Sequence, residues 1–299
     1  MVSIIITTYK REPKIVRRAI ESVIAQTYKD WELWVIDDSP ADYELRNNVK
    51  DIFEYYKNDC RINYFQQAKN SGACAARNVG INLSKGEFLA FLDDDDEWIA
   101  TKLEKQVNKF LSSPAETGLI YCGCFLKNDV NQSITTAKTN YIKGNIFSEL
   151  THENYLGGAS FPLIKKSCLE KVGLFDPQML SCQDLDLWLR ISREFLIDYV
   201  EEPLVIYHMH EGEQITKCIE KVVAGRERIL YKNRDYFNEH PKDLWVCLAN
   251  YAYTFAYNGS REYALYYMRK AVKTKPFNIV SNAVSYLRIF RALSLEEKR

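Results

Sequence analysis

Four consecutive carboxylates, Asp93-Asp94-Asp95-Asp96, close an apolar run, EFLAFL at 87–92. Adjacent carboxylates repel one another, and partial burial raises their pKa values by disfavouring the charged form. A divalent cation relieves that repulsion, and hard oxygen ligands suit Mg2+ or Mn2+. A second reading stays open on the same residues: a solvated acidic turn in which Asp95 or Asp96 caps a helix over 101–111. Other polar groups end apolar runs in the same way, Thr7-Thr8-Tyr9 after VSIIIT and Asp37-Asp38-Ser39 at the end of WELWVID.

The elements that must position these groups are legible as periodicity. Residues 2–7 and 31–37 form continuous apolar runs, as in strands buried on both faces. After Pro13, Ile15, Val16, Ala19, Ile20, Val23 and Ile24 recur at helical spacing. Residues 42–56 predict a second helix, 62–65 a third strand and 72–83 an alanine-rich helix. Strand and helix thus alternate four times in the first hundred residues. That alternation calls for a parallel sheet covered on both faces, and in such sheets ligands bind beyond the carboxyl ends of the strands. Further strands are predicted at 118–126, 159–164 and 197–207, with loop from 126 to about 160 and helices at 167–172 and 183–194. Beyond Gly212 the chain reads as helical, over 217–236, 242–257, 261–274 and 278–293. Leu248, Ala252, Phe255, Gly259, Ala264, Met268, Ala271 and Pro276 there have the spacing of one tetratricopeptide-like unit. The expected organisation is a 1–216 catalytic domain, its donor half ending near 98, and a 217–299 helical appendage.

Hydrophobic residues make up 46% of the 299, enough for a sizeable core. A formal charge of zero argues against a nucleic-acid binder held by a global positive field. No apolar run reaches the roughly 18 residues needed to span a bilayer, and Val2 to Ile6 is too short for a signal-peptide core. The eight cysteines form neither a CxxC pair nor a regular framework, so buried free thiols and a cytosolic location are expected. Residues 261–299 carry nine Lys/Arg against three Glu. With Tyr286, Leu287, Ile289, Phe290 and Leu293 interleaved, that tail could be a solvated face or could rest on an anionic inner-membrane surface.

The order of motifs makes a resemblance specific. VSIIITTYKRE, AIESVIAQTYKDWELWVIDDSP, NSGACAARNVGI, GEFLAFLDDDDEW, GLFDP, QDLDLWLRI and the YHMHEG segment together resemble the family-2 inverting glycosyltransferases of the GT-A fold. That resemblance implies a Rossmann-like mixed α/β sheet with helices on both faces. It also implies a nucleotide-sugar donor, commonly UDP-linked, and an acceptor hydroxyl on a glycan or lipid-linked saccharide. Thr7, Tyr9 and Asp38 would then bind the nucleoside, and Arg77 the diphosphate or base, since a planar guanidinium suits phosphate oxygens. Asp94 would meet the ribose or diphosphate, and Asp95 the metal, assisted by Asp93 and His210. An inverting transfer also needs a base, which the resemblance assigns to Asp184.

Gln183 departs from the Glu-Asp pair of that family. Losing a neighbouring negative charge lowers the pKa of Asp184 relative to such a pair. Each assignment has a structural competitor. Asp38 could cap the turn after it, Arg77 could form a helix-face salt bridge, and Asp184 could be the N-cap of its helix, with Asp186 as rival base. His208 and His210 could be structural, and Trp98 and Trp188 core aromatics. Two other function classes compete. A nucleotidyltransferase normally carries a glycine-rich phosphate loop after the first strand, and TTYKREPK has no glycine. A non-catalytic scaffold would have no need of the acidic cluster together with Asp184.

Overall fold

The computed structural model describes residues 1–210 and 218–274, together with Ser285, Arg288, Ile289 and Arg291. Three parallel strands set the frame: β1 (Val2–Thr8), β2 (Trp31–Asp37) and β3 (Ile62–Gln66). The crossover helices are α1 (Pro13–Ile24) and α2 (Arg46–Ile52), and α3 (Ala73–Leu83) leads on to β4 (Phe88–Asp93), parallel to β1 on its other side. Next come β5 (Glu97–Trp98), α4 (Lys102–Ser112), β6 (Thr117–Asn128) and β7 (Ile134–Thr136). After α5 (Phe147–His152) follow β8 (Leu163–Lys165), α6 (Lys166–Val172), α7 (Gln183–Glu194) and β9 (Leu196–Met209). The sheet runs β3-β2-β1-β4-β8-β6-β9-β5, with β7 on β6. β8 is antiparallel to both its neighbours, so the sheet is mixed.

Alternation along β1 explains its two covered faces. Val2, Ile4 and Ile6 join a cluster with Val16, Ile20 and Val23 of α1 and Leu103 and Val107 of α4. Ile5 points the other way, under α3. A side chain at Gly80 would meet Ile5 Cγ2 at 2.5 Å, so only glycine lets α3 lie this close. Burying one such isoleucine contributes about 1.5–3 kcal/mol. Strand order changes side at β1: β2 and β3 lie on one side and β4 on the other, all parallel. Parallel register then sets Thr7 beside Asp93 and Thr8 beside Asp37. The polar strand ends therefore share one rim.

Some boundaries differ from expectation. α2 starts at Arg46 instead of residue 42, and its last turn tightens into a 3-10 helix at Phe53–Tyr55. The predicted 126–160 loop contains β7 and α5. The strand predicted at 159–164 begins only at Leu163. Gly157, at φ 79°, turns the chain before it, and Ser160 faces the acidic rim, where its hydroxyl is bonded. Lys102 is wholly buried, its ammonium 4.1 Å from the Trp98 ring centre and donating to Gln106. Burial draws its pKa down to about 8.

Two compact units emerge. One comprises residues 1–146 and 155–226, the other 147–154 and 227–299. The helical stretch read as 217–236 divides at Asn233, whose side-chain amide donates to Ile229 O, into α8 (Ile219–Lys232) and α9 (Arg234–Glu239). In the second unit α10 (Pro241–Tyr257) packs on α11 (Arg261–Thr274) across a turn at Gly259, φ 74°. Their seam buries Leu248, Ala252, Phe255, Ala264, Met268 and Ala271. Pro276 and most of the predicted 278–293 helix and basic tail lie outside the described residues. Among the described residues no helix is long and apolar enough to cross a membrane. All eight cysteines are free.

Candidate active site

The four aspartates after β4 divide into different roles because the chain turns tightly there, Asp96 N donating to Asp93 O at 3.0 Å. Asp96 faces inward. It accepts the Ser160 hydroxyl at 2.6 Å and the His208 amide at 3.3 Å, and burial holds its pKa well above the usual carboxylate range. Thr101 caps α4 without a side-chain bond, so neither Asp95 nor Asp96 is the helix cap that the alternative reading required. Asp94 is also buried, which pushes its pKa up to about 6 against the pull of Arg11. The Arg11 guanidinium reaches Asp94 Oδ1 at 2.8 Å and Asp95 Oδ2 at 3.0 Å. His210 Nε2 lies 2.9 Å from that same Asp95 oxygen. The carbonyl of Asp95 accepts Arg18 at 2.5 Å, which fixes the turn.

A carboxylate and an imidazole that converge at 2.9 Å are a donor set that a divalent cation accepts. Among the described residues no group of three or more His, Cys, Asp and Glu forms a metal cage. Water and phosphate oxygens would have to complete the shell, as is usual for Mg2+ at phosphate sites. Asp93 is directed elsewhere, to Arg77 Nη2 at 2.9 Å.

Arg77, on α3, links the two halves of the site. Its Nη1 donates to Gln183 Oε1 at 2.8 Å, its Nη2 holds Asp93, and its guanidinium stands 5.4 Å from the Phe175 ring centre. It is therefore a bridge between elements and no helix-face salt bridge. Its neighbour Asn78 makes two bonds to the backbone of Phe175, at 2.8 and 3.0 Å, and fixes the approach to α7.

Asp184 follows at the second position of α7. The cap residue is Cys182, in the left-handed region at φ 55°, so Asp184 is not the N-cap. Its Oδ1 accepts the Leu185 amide at 2.8 Å. Its Oδ2 faces Gly158, where an added Cβ would lie 4.0 Å away. Burial raises its pKa above the usual carboxylate value; the Leu185 amide and Arg77 pull it down and Asp93 pushes it up. Burial thus outweighs the lowering expected from a neutral Gln183. Asp186, two residues on, is 2% exposed and engaged by Arg190, whose other N–H groups hold the carbonyls of Val172, Gly173 and Leu174. The rival base is a structural residue. A Gln183→Glu variant would add a negative charge beside Asp184, so we expect the acid limb of its pH–rate profile to move to higher pH. An unmoved limb would separate Asp184 from that limb.

At the strand ends Thr7 is half-buried and Tyr9 is 43% exposed. Asp38 is buried, and its carboxylate accepts Gln67 at 2.6 Å and the Ser71 and Gly72 amides at 2.8 Å each. It ties down the loop before α3, whereas the competing reading placed it on the turn after β2. Three bonds leave part of its acceptor capacity for a ligand. β9 continues through His208, whose ring nitrogens lie 2.7 Å from Asp129 and Glu97, so His208 and His210 engage different partners. Trp98 and Trp188 are buried, with their indole N–H groups on the carbonyls of Ser160 and Gly157. Arg11 and Asn78 fall inside the segments VSIIITTYKRE and NSGACAARNVGI without a role being assigned to them, and Ser160 carries no local signal. Their partners are remote in sequence.

The sequence model of glycosyl transferase family 2 matches residues 3–173, more than half of the chain. The chain belongs to glycosyl transferase family 2. Relatives include the putative colanic acid biosynthesis glycosyl transferase WcaA of Escherichia coli K12, 30% identical over 81% of this chain and 84% of that protein. An uncharacterised glycosyltransferase of Methanocaldococcus jannaschii is 26% identical over 74% of this chain and 75% of its own. Over a shorter stretch, 38% of this chain and 42% of the other, there is 41% identity to the E. coli UDP-Glc:alpha-D-GlcNAc-diphosphoundecaprenol beta-1,3-glucosyltransferase WfgD. The fold is that of GT-A glycosyltransferases. S. aureus TarS superposes with a TM-score of 0.65 at 16% identity over 98% of this chain, which spans about half, 54%, of TarS. TarS 1-349 in complex with UDP-GlcNAc gives 0.59 at 15% identity over 91% of this chain and 90% of that one.

Proposed function

We propose that this glycosyltransferase moves a sugar, with inversion, from a UDP-sugar to a hydroxyl of a glycan or lipid-linked saccharide, with Asp184 as general base. The observation that carries the reading is the Arg77 bridge. One guanidinium holds Asp93 at the acidic rim and Gln183 beside Asp184, so donor-side and base-side carboxylates sit at one site. The names of WfgD and of the TarS complex, a UDP-Glc enzyme and a UDP-GlcNAc complex, support a UDP donor, and WfgD's name supports a lipid-linked acceptor.

In the proposed reaction the acceptor O–H gives its proton to Asp184 Oδ2, since Oδ1 is engaged by Leu185. The acceptor oxygen bonds to the anomeric carbon as the bond from that carbon to the phosphate oxygen breaks, and the nucleoside diphosphate leaves. Thr7, Tyr9 and Asp38 hold the nucleoside, and Arg77 and Asp94 the ribose and diphosphate. A divalent cation, Mn2+ or Mg2+, at Asp95 and His210 with Asp93 nearby would neutralise the departing diphosphate as a Lewis acid. Above its raised pKa Asp184 is ionised and competent, so activity rises with pH through that value and then levels. Calorimetric titration with UDP, with and without Mn2+, tests the donor site. We expect binding that Mn2+ strengthens; no UDP binding in either case contradicts the reading.

A further inference from the structure

The loop between β1 and α1 places a cation on Asp94 and on Asp95, the second of which is the carboxylate assigned above to a divalent cation. Arg11 Nε donates to Asp94 Oδ1 at 2.9 Å and Nη2 donates to Asp95 Oδ2 at 3.0 Å, while Nη2 also lies within ion-pair distance, 2.8 Å, of Asp94 Oδ1. Its side chain is 22% exposed, against 6% for Asp94 and 19% for Asp95. The loop that carries it is anchored: Lys10 stands in the left-handed region at φ 47°, and its amide donates to Ser39 Oγ at 2.9 Å. A non-glycine residue is held there only when its surroundings impose it. The backbone is thus committed to presenting Arg11 to the two carboxylates.

The decisive detail is the shared oxygen. Asp95 Oδ2 faces both Arg11 and His210, so a cation that takes Asp95 and His210 meets the guanidinium at the same atom. Asp94 differs, since one of its oxygens takes the Nε hydrogen bond and stands at ion-pair distance from Nη2, and it is the more buried of the two carboxylates. We infer that Arg11 is the resident counter-ion of this site: it holds Asp94 and Asp95 together when no divalent cation is present, and yields Asp95, while keeping Asp94, when one binds. Arg11 is a positioning residue in this scheme, and the inference rests on the metal reading of the proposed function. It follows that Arg11 and the cation are negatively coupled. Coupling between sites is reciprocal, with typical factors of about 5–150, so removing the guanidinium strengthens metal binding.

The test measures Mn2+ alone, by the loss of its free-ion magnetic resonance signal on titration with protein, for the full chain and for Arg11→Met and Arg11→Lys. Arg11→Met is expected to bind Mn2+ about tenfold more tightly, and its melting temperature is expected to rise on Mn2+ addition by more than that of the unaltered protein. Arg11→Lys retains a cation and should stay near the unaltered affinity. A residue that merely braces the loop would leave Mn2+ affinity where it was, or weaken it; either outcome in Arg11→Met overturns the inference. Should Arg11→Met fail to fold in EDTA yet fold when Mn2+ is added, the substitution of one cation for the other is seen directly. Should neither that variant nor the unaltered protein bind Mn2+, the counter-ion role is overturned. UDP titration without metal then shows separately whether the donor site survives.

Discussion

Replacing Asp184 by Asn is expected to lower turnover by roughly 10²–10⁴-fold, the loss that follows removal of a general base, and to leave UDP binding unchanged. Asparagine keeps an oxygen for the Leu185 amide, so the start of α7 is preserved. The electrostatic sign favours the variant's stability. Asp184 has a pKa raised by burial, so its contribution to stability is present below its unfolded value and is lost as pH rises through its folded value. At neutral pH the buried charge is a cost, and a neutral amide removes it. Melting and turnover, measured together, should therefore move apart: an unchanged or higher melting temperature with activity nearly gone. A variant that retains full turnover takes Asp184 out of the base role.

Asp186 should behave in the opposite way. It is buried, and it bonds Arg190 through Nε and Nη2 at 3.1 and 2.9 Å; Arg190 in turn gathers three consecutive carbonyls, at 172–174. Asp186→Ala leaves that guanidinium without its carboxylate. Removing one partner of a buried pair costs about 3–5 kcal/mol, and Arg190 is 22% exposed, which places the expectation near the lower end. For a unit of this size that is a fall of about 6–12 °C in melting temperature. Turnover per folded molecule should fall less than tenfold. Thermal melting checks the first figure, and assay well below the melting point checks the second. The two aspartates lie two positions apart on one helix, and their variants should have exchanged phenotypes.

The sequence made β1, β2 and β4 legible because strands buried on both faces need unbroken apolar runs, and VSIIIT, WELWVID and EFLAFL are such runs. The sequence predicts α7 over 183–194, the residues it occupies, since Leu187, Trp188 and Ile191 alternate with polar positions at helical spacing. The acidic rim was visible as composition, but its division of labour was not. Asp96 is drawn inward by Ser160, which lies 64 residues away, and Arg11 reaches Asp94 across 83. Contacts between residues so far apart leave no periodic trace. α5 was missed for a related reason: six residues are too few to establish a helical period, and the helix belongs with the second unit. Lys102 of α4 is buried against Trp98. Nothing in a helical pattern distinguishes a lysine that is folded under from one that is solvated.

Release of nucleoside diphosphate from a panel of UDP-, GDP- and dTDP-sugars, with Mn2+ and candidate acceptor glycans, tests whether this site transfers a sugar with metal assistance and Asp184 as base. We expect release from a UDP-sugar that stops when metal is chelated and falls at least about 10²-fold in Asp184→Asn. A folded protein that releases nucleoside diphosphate from no donor, or an Asp184→Asn variant that releases it as fast as the unaltered protein, contradicts that expectation.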